Sequence, residues 1–401
     1  MSLGRAPIAG KLVLPMILGA MFSLPARADF SDTIHPFAAV VYNHDNNLLR
    51  IDQDANPGLD TSDNYRTVVG GIDFDRPIGR QRVYGIVKVS KVNFDQYSSL
   101  DYVGKDASVN LDWAIAAHFT GHAGLRYNET LGSFADFHST IRNLRINQRE
   151  FGDIFWRLHP SWQVHSGFSR DKYRFDLASQ AYNNRTEDVA DVGFDFLEKS
   201  GSTFGLVARR LRGYYPNTNF GNLIVDNGYQ QNEIKLNVYW LASGVTQVTF
   251  LGGRVRRTNN SDSLRGGSGN NGRLIVNWSV TPTFQLAASG WREFGIAEGV
   301  LVNNSLNTGE SLSANWSLTP KVSLNSSLQQ EKREFRARPG LLSIDGLSDK
   351  SHSASAGVSY QPLRKVTLSL SGFVNNRSGS AAAFTNSYRS KGVSASASVK
   401  F

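Results

Sequence analysis

The 401-residue chain contains no cysteine and carries a formal net charge of +9, with 19% charged and 11% aromatic residues. The absence of cysteine excludes both a disulfide framework and a lipid-modified N-terminal cysteine. No stretch approaches the roughly 18 consecutive apolar residues of a membrane-spanning helix, which excludes helical anchoring. The charge excess is mild and does not indicate a nucleic-acid partner.

The N-terminus predicts a cleaved secretory signal peptide over residues 1–28. Arg5 and Lys11 precede an apolar run, and Pro25-Ala-Arg-Ala28 provides the small residues of a cleavage site. Cleavage removes three basic side chains and lowers the net charge from +9 to about +6. We therefore treat residues 29–401 as one mature domain that leaves the cytoplasm.

The mature sequence alternates apolar and polar residues with a period of two. In the stretch 107–115, Ala107, Val109, Leu111, Trp113 and Ile115 share one face of a strand, opposite Ser108, Asn110 and Asp112. The same alternation recurs along the chain, and strands with one apolar and one polar face are required by a barrel with lipid outside and water inside. The pattern predicts an all-β fold, a transmembrane antiparallel up-and-down β-barrel.

The connections between these strands are of two contrasting sizes. Eight short turns alternate with nine longer polar loops, which gives about 18 strands, although 16 would also fit. Outer-membrane barrels have short periplasmic turns and long external loops, so we expect both chain ends on the periplasmic side. This arrangement predicts the bacterial outer membrane as the location, with outer-membrane lipid and lipopolysaccharide around the barrel.

Aromatic residues recur just before the short turns. At headgroup depth the apolar ring of an indole contacts lipid while its N–H group contacts polar headgroups. These positions therefore predict a periplasmic aromatic girdle. Its members are Trp113, Trp156, Trp240, Trp278, Trp316 and Tyr360. A soluble β-sandwich with core tryptophans is the alternative, but serine and asparagine occupy the faces that its core would need.

The opposite faces of the strands predict the lining of a water-filled lumen. Charged residues are concentrated in its first half, whereas the second half offers mainly serine, asparagine and glutamine. Such a lining suits hydroxyl-rich solutes that are held weakly at many sites. The lumen candidates are Asp106, Asp112, Arg126, Asp153, Arg157, Asp191, Asp195, Glu233, Lys235 and Arg273.

Few motifs point to chemistry, and we expect no enzyme activity and no cofactor. The stretch 267–272 matches GxGxxG but follows no strand and opens no helix, so nucleotide binding is disfavoured. A calcium-loop pattern has its glycine displaced by one place, which makes a solvated acidic loop the simpler interpretation. Its four candidate ligands are Asp52, Asp54, Asn56 and Asp63.

The last strand ends at Phe401, with Val399 on the same face. A terminal aromatic residue on an alternating strand resembles the assembly signal of bacterial outer-membrane proteins. The resemblance implies that the barrel-assembly machinery is a partner.

The stretches 34–50 and 65–71, together with Phe401, resemble the outer-membrane proteins of exopolysaccharide operons, the EpsL-type members of a β-barrel porin family. The resemblance implies a pore that takes part in exopolysaccharide biosynthesis and export, with the polysaccharide as substrate and a periplasmic polysaccharide export protein as partner. A general diffusion porin is the alternative, and a non-conducting barrel that organises a surface complex is another. The apolar loop 335–349 is our candidate for a segment that folds into the lumen.

Overall fold

The computed structural model describes residues 33–401 except 218, 221–222, 225–226, 261–266, 296–301, 338–345 and 384. The predicted signal peptide, residues 1–28, lies outside the described residues. No helix among the described residues is long and apolar enough to cross a membrane.

Eighteen long antiparallel strands form one sheet in which sequence neighbours pair. The sheet closes on itself because β1 pairs with both β2 and β18, with Phe37 opposite Lys400 and Asp45 opposite Gly392. The predicted barrel of 18 strands is confirmed. The strands are Ile34–Asp45 (β1), Asp63–Ile78 (β2), Gln81–Phe94 (β3), Tyr102–Ile115 (β4), Phe119–Leu131 (β5), Leu144–His159 (β6), Trp162–Phe175 (β7), Arg185–Leu197 (β8), Thr203–Tyr214 (β9), Gly228–Ser243 (β10), Thr246–Asn259 (β11), Gly267–Thr281 (β12), Phe284–Gly295 (β13), Val302–Thr319 (β14), Val322–Ala337 (β15), Ser348–Leu363 (β16), Val366–Ser378 (β17) and Tyr388–Lys400 (β18).

The connections also follow the sequence prediction. Short turns join β2 to β3, β4 to β5 and every second pair thereafter, as at Gly79-Arg80, where Gly79 has a φ of 62°. The nine long connections lie at the other end of the barrel and include a short hairpin, Asn219–Phe220 with Leu223–Ile224. The stretch 267–272, which we took in the sequence for a flexible loop tip, is the start of β12.

The outer face of the barrel is apolar and exposed. Val40, Val68 and Val192, for example, are between 36% and 52% exposed. In water such a surface would be unfavourable, whereas in lipid it is the required outer face, because every backbone group is paired within the closed sheet. The polar residues that alternate with them face the lumen.

Burial of the inward-facing residues differs between the two ends of the lumen. Near the external loops Tyr229, Phe335 and Asp349 are at most 2% exposed. Near the periplasmic turns inward-facing residues such as Asn277 and Asn325 remain exposed. The lumen is therefore wide at its periplasmic end and filled with side chains and loops at its external end.

The two faces of β15 make the lipid assignment testable with adjacent residues. We expect Leu328→Arg, on the outer face, to destabilise the barrel by about 2–4 kcal/mol, because it places a charge near the middle of the hydrocarbon band. Gln329→Arg, on the inner face, is the matched control and should change the free energy of unfolding little. Urea titration of the protein refolded in lipid vesicles measures both, and equal destabilisation by the two variants would contradict the assignment.

Candidate functional site

All ten predicted lumen residues lie on inward-facing positions of the sheet register. The ladder pairs connect them across neighbouring strands, for example Asp106 opposite Lys88 on β3, and Arg126 opposite Arg149 on β6. On β6, Asp153 and Arg157 are an even number of residues apart and therefore share the inward face. The register with β7 places Asp191 and Asp195 of β8 on the same face. The inward positions are Asp106, Asp112, Arg126, Asp153, Arg157, Asp191, Asp195, Glu233, Lys235 and Arg273.

Several of these charges are paired within the lumen wall. The Nζ atom of Lys235 lies 2.5 Å from an oxygen of Glu233, and both side chains are buried. Arg273 holds Glu293 through two contacts, Nε at 3.3 Å and Nη2 at 2.7 Å. The first half of the lumen wall thus carries paired charges of both signs.

Two histidine–aspartate pairs lie on the inner face of β5 to β8. His122 Nδ1 is 2.9 Å from Asp153 Oδ1, and His165 Nδ1 is 2.7 Å from Asp195 Oδ2. The Phe155 ring lies between the two imidazoles, with centroid distances of 5.9 and 5.6 Å. In the described part of the chain neither imidazole is hydrogen-bonded to a serine or threonine hydroxyl, as a nucleophilic site would require.

The second half of the lumen is more charged than the sequence led us to expect. On its inner face Trp291 donates from Nε1 to Glu331 at 2.9 Å, and the Arg273 guanidinium lies 4.9 Å from the Trp291 ring centroid. Arg333 forms a bidentate pair with Asp349, at 2.9 and 2.6 Å. Glu331, Arg333 and Asp349 occupy the external ends of β15 and β16, and of these three only Asp349 lies in the predicted loop 335–349.

Three external loops pack together inside the mouth of the barrel. We call residues 46–62, 95–101 and 132–143 the inner loop cluster. Leu48, Leu49 and Leu100 form its apolar core, which packs on the inward-facing Val92 and Phe94 of β3. Partly buried Phe134 extends this core to the third loop, and Ser99 Oγ donates to Thr140 O at 2.8 Å.

Asp136 ties the third of these loops to the far wall of the lumen. Its Oδ1 atom accepts from Arg333 on β15 at 3.3 Å and from Arg377 on β17 at 3.4 Å. Arg377 also donates to the carbonyl oxygen of Ala135. The loop between β5 and β6 therefore reaches across the lumen interior to β15 and β17, which are eight and six strands from β5 by the shorter way around the closed sheet of 18 strands. It leaves a cavity of about 290 Å³ against that wall.

His138 joins the first and third loops. Its Nδ1 atom is 3.0 Å from the carbonyl oxygen of Leu49, and because a carbonyl only accepts, Nδ1 carries the proton. Burial lowers the pKa of His138 below its ordinary value. The Leu49 hydrogen bond and Asp136 oppose this shift of the pKa, whereas Arg377 and Arg50 reinforce it.

The described segment that folds inward, 132–143, is not the loop that the sequence singled out, and the prediction for that loop stays untested. We expected loop 335–349, but Phe335 continues β15 and the apolar stretch of that loop, 338–345, lies outside the described residues. The signal for the loop 132–143 was weak, because its anchoring residue, Asp136, looks like any polar loop residue until its partners on β15 and β17 are known.

The proposed calcium ligands do not form one cluster. Asp63 is buried, and its carboxylate accepts the backbone N–H groups of Gln96 and Tyr97, both at 2.9 Å. Asp52 instead forms its own exposed turn, accepting the N–H of Asp54, while Asn56 donates to the Asp52 carbonyl. Asp63 thus fixes the second loop of the inner loop cluster, and no group of three acidic or histidine ligands occurs among the described residues.

The six predicted girdle residues all face outward next to the short turns. Five of them, all but Trp113, are 44–48% exposed, and Trp113 lies over Gly121, where a Cβ atom would approach the indole to 2.4 Å. The sequence missed Trp162, which follows a turn and stacks on Phe194 at 4.9 Å. Their place at the membrane interface stays a prediction. The six are Trp113, Trp156, Trp240, Trp278, Trp316 and Tyr360.

At the end of the chain, Val399 faces outward and Phe401 is 58% exposed. The backbone N–H of Phe401 donates to the carbonyl of Pro36 at 2.9 Å, so the last residue continues the seam between β18 and β1.

A closed antiparallel barrel with an apolar outer face and a polar interior defines a bacterial outer-membrane β-barrel protein. Its interior contains charged walls and anchored loops. The outer membrane predicted from the sequence is confirmed as the location.

Comparison with known proteins gives structural similarity only. No family model and no curated protein matches the chain. Among solved structures, Acinetobacter baumannii OccAB3 is 9% identical, with a TM-score of 0.46 and coverage of 92% of this chain and 100% of that one. Pseudomonas aeruginosa OccK1 is 10% identical, with a TM-score of 0.48 and coverage of 92% and 99%. P. aeruginosa OprD is 10% identical, with a TM-score of 0.46 and coverage of 92% of this chain and 95% of that one. Similarity at this level assigns no substrate, and the EpsL-type resemblance finds no support in these comparisons.

The anchor at Asp136 can be tested with a single spin label, because the chain has no other cysteine. We expect Asp136→Ala to increase the mobility of a spin label at Thr140→Cys. Removal of one partner of a buried ion pair costs about 3–5 kcal/mol. Because the Asp136 side chain is 22% exposed, we expect a cost at the lower end of this range. Asp54→Ala, in the first loop, is the control. Unchanged spectra in both variants would show that Asp136 does not hold the loop.

The packing of His138 predicts a pH dependence of the loop. Docking lowers the pKa of His138 below its ordinary value of 6.5, so the undocked loop binds a proton more readily than the docked loop. The docked state is therefore favoured at pH values above 6.5 and loses stability as the pH falls below that value. The same spin label should therefore become more mobile between about pH 7.5 and pH 5.5. His138→Gln keeps a donor for Leu49 and should remove the change, and an identical pH response in that variant would contradict the assignment.

Proposed function

We propose that the chain is an outer-membrane diffusion channel for small hydrophilic solutes. The observation that carries the proposal is the inner loop cluster, which narrows a polar lumen at its external end and is fixed to the opposite wall by Asp136. A non-conducting barrel would need no wide, exposed periplasmic vestibule, and a freely open barrel would need no anchored loop.

The lining favours passage of polar solutes over tight binding. Opposite charges alternate along the wall from β3 to β13, with Lys88 near Asp106, Arg149 near Asp171 and Arg273 near Glu293. A mobile solute meets a sequence of partners of both signs, none of which forms a closed pocket around it. Many shallow sites allow a solute both to enter and to leave.

Polysaccharide export, the leading expectation from the sequence, has less support. A polymer in transit occupies the whole length of the lumen at once, whereas the inner loop cluster fills part of the external half. Two ion pairs to Asp136 and the apolar core around Leu100 would have to open for a chain to pass. The structure contains no described feature that favours such an opening at neutral pH.

Conductance and permeation measurements test the proposal. Refolded protein should form open channels in planar bilayers, and vesicles containing it should swell in small neutral sugars, with rates that fall steeply as the sugar grows. Replacing residues 133–142 by a short glycine–serine linker should raise the conductance and admit larger sugars. The matched control replaces residues 380–386 in the same way and should leave both quantities unchanged.

Two results would contradict the proposal. A silent bilayer with correctly folded wild-type protein would point to a structural barrel. Channels that are blocked by the host exopolysaccharide, but not by an unrelated polymer of equal length, would restore polysaccharide export as the function.

A further inference from the structure

The outer wall formed by β8 to β13 has two shallow grooves that meet at Arg254. The first has a volume of about 570 Å³ and an apolar floor of Ala190, Val192, Ala208 and Ile234. The second, of about 530 Å³, lies on the other side of Arg254. Its floor consists of Phe250, Gly252, Gly272, Leu274 and Gly290.

Small residues on the lipid-facing side produce these grooves. Gly252 pairs directly with Gly272, so neither strand projects a side chain at that point of the outer face. A Cβ atom at Gly290 would find its nearest neighbour 4.0 Å away, and one at Gly272 would find it at 3.5 Å. The space beside these glycines is therefore open.

Arginines surround the external side of both grooves. The register places Arg210 and Arg256 on either side of Asn232, with Arg254 one row closer to the membrane centre beside Ile234. Arg292 stands at the edge of the second groove. All four side chains are exposed and face away from the lumen.

The depth of Arg254 is unusual for a charge on a lipid-facing wall. It lies six residues beyond Val248, which pairs with the girdle residue Trp240. With a rise of about 3.3 Å per residue and a tilt of about 40°, Arg254 is roughly 15 Å above the girdle, within an apolar band of about 25 Å. Its guanidinium must extend upward to reach a polar partner.

Two outward-facing cations elsewhere on the wall have acidic partners within the barrel. Arg170 is bidentate to Asp188, at 2.6 and 2.8 Å, and Lys105 pairs with Glu129 at 2.8 Å. Arg254 and Arg256 have no such ion pair among the described residues. In the described part of the chain, Arg210 and Arg292 donate hydrogen bonds to neutral oxygens, those of Gln230 and Asn270. Arg210, Arg254 and Arg256 thus present positive charge directly above apolar grooves.

We propose that this surface is a binding site for a phosphorylated lipid with several acyl chains, of the lipopolysaccharide class, in the outer leaflet. The guanidinium groups of Arg210, Arg254 and Arg256 hold its phosphates by charge-assisted hydrogen bonds. Acyl chains lie in the two grooves, so the lipid straddles Arg254. The proposal concerns the outer wall and does not depend on what passes through the lumen.

Lipid binding to the complete refolded barrel tests the site. We would measure the dissociation constant by native mass spectrometry in detergent, using diphosphoryl hexa-acyl lipid A, its dephosphorylated form and phosphatidylglycerol. Wild-type protein should bind lipid A most tightly. Combined Arg254→Gln and Arg256→Gln should weaken binding of lipid A about tenfold or more, because charge-assisted hydrogen bonds are lost, and should leave the dephosphorylated form unaffected.

A second pair of variants tests the grooves without removing charge. Gly272→Ile and Gly290→Ile fill the second groove, where an added Cβ atom lies at ordinary van der Waals distance from its nearest neighbours, 3.5 and 4.0 Å. Both should weaken lipid A binding several-fold while the barrel stays folded. Arg389→Gln with Lys391→Gln, two exposed outward cations on β18, is the matched control and should have no effect. Equal losses in the control, or equal affinity for phosphatidylglycerol, would show a non-specific basic belt and overturn the proposal.

Discussion

The pairing of every backbone N–H and C=O group inside the sheet is the constraint on which the rest of this structure depends. In hydrocarbon an unpaired edge is prohibitively costly, so β1 must meet β18, and the strand number must be even if both ends lie at the same side. Closure fixes the parity of every side chain. An inward position such as Asp195 and an outward position such as Phe194 exchange environments if the register slips by one residue.

This constraint explains why the fold could be predicted from sequence. The alternation at 107–115, the short turns and the aromatic residues before them all follow from the geometry of a strand that crosses lipid, and each is local in sequence. The ten lumen candidates could also be predicted, because alternate residues of a strand point to opposite faces of the sheet. Trp291 shows the limit of this reasoning, since a tryptophan on the inner face is recognised only when Arg273 and Glu331 are seen beside it.

The arrangement of the loops could not be predicted in this way. Loop 335–349 attracted attention through its apolar composition, whereas the loop 132–143 is held by Asp136, whose partners Arg333 and Arg377 are 197 and 241 residues away. Asp63 illustrates the same difficulty, because its acidic neighbours in sequence suggested calcium while its actual partners are backbone N–H groups of the next loop. Long-range electrostatic contacts carry no periodic signal, and they decide the shape of this lumen.

The distance in sequence between Asp136 and its partners also bears on how the barrel is assembled. The two ion pairs of Asp136 need β5, β15 and β17 in place together, and these strands face one another only when the sheet has curved toward closure. A partial sheet of a few neighbouring strands, formed from either end of the chain, therefore gives the loop no wall on which to dock. The docked loop and the narrowed lumen belong to the complete barrel, and an incompletely closed sheet is left with the wider opening.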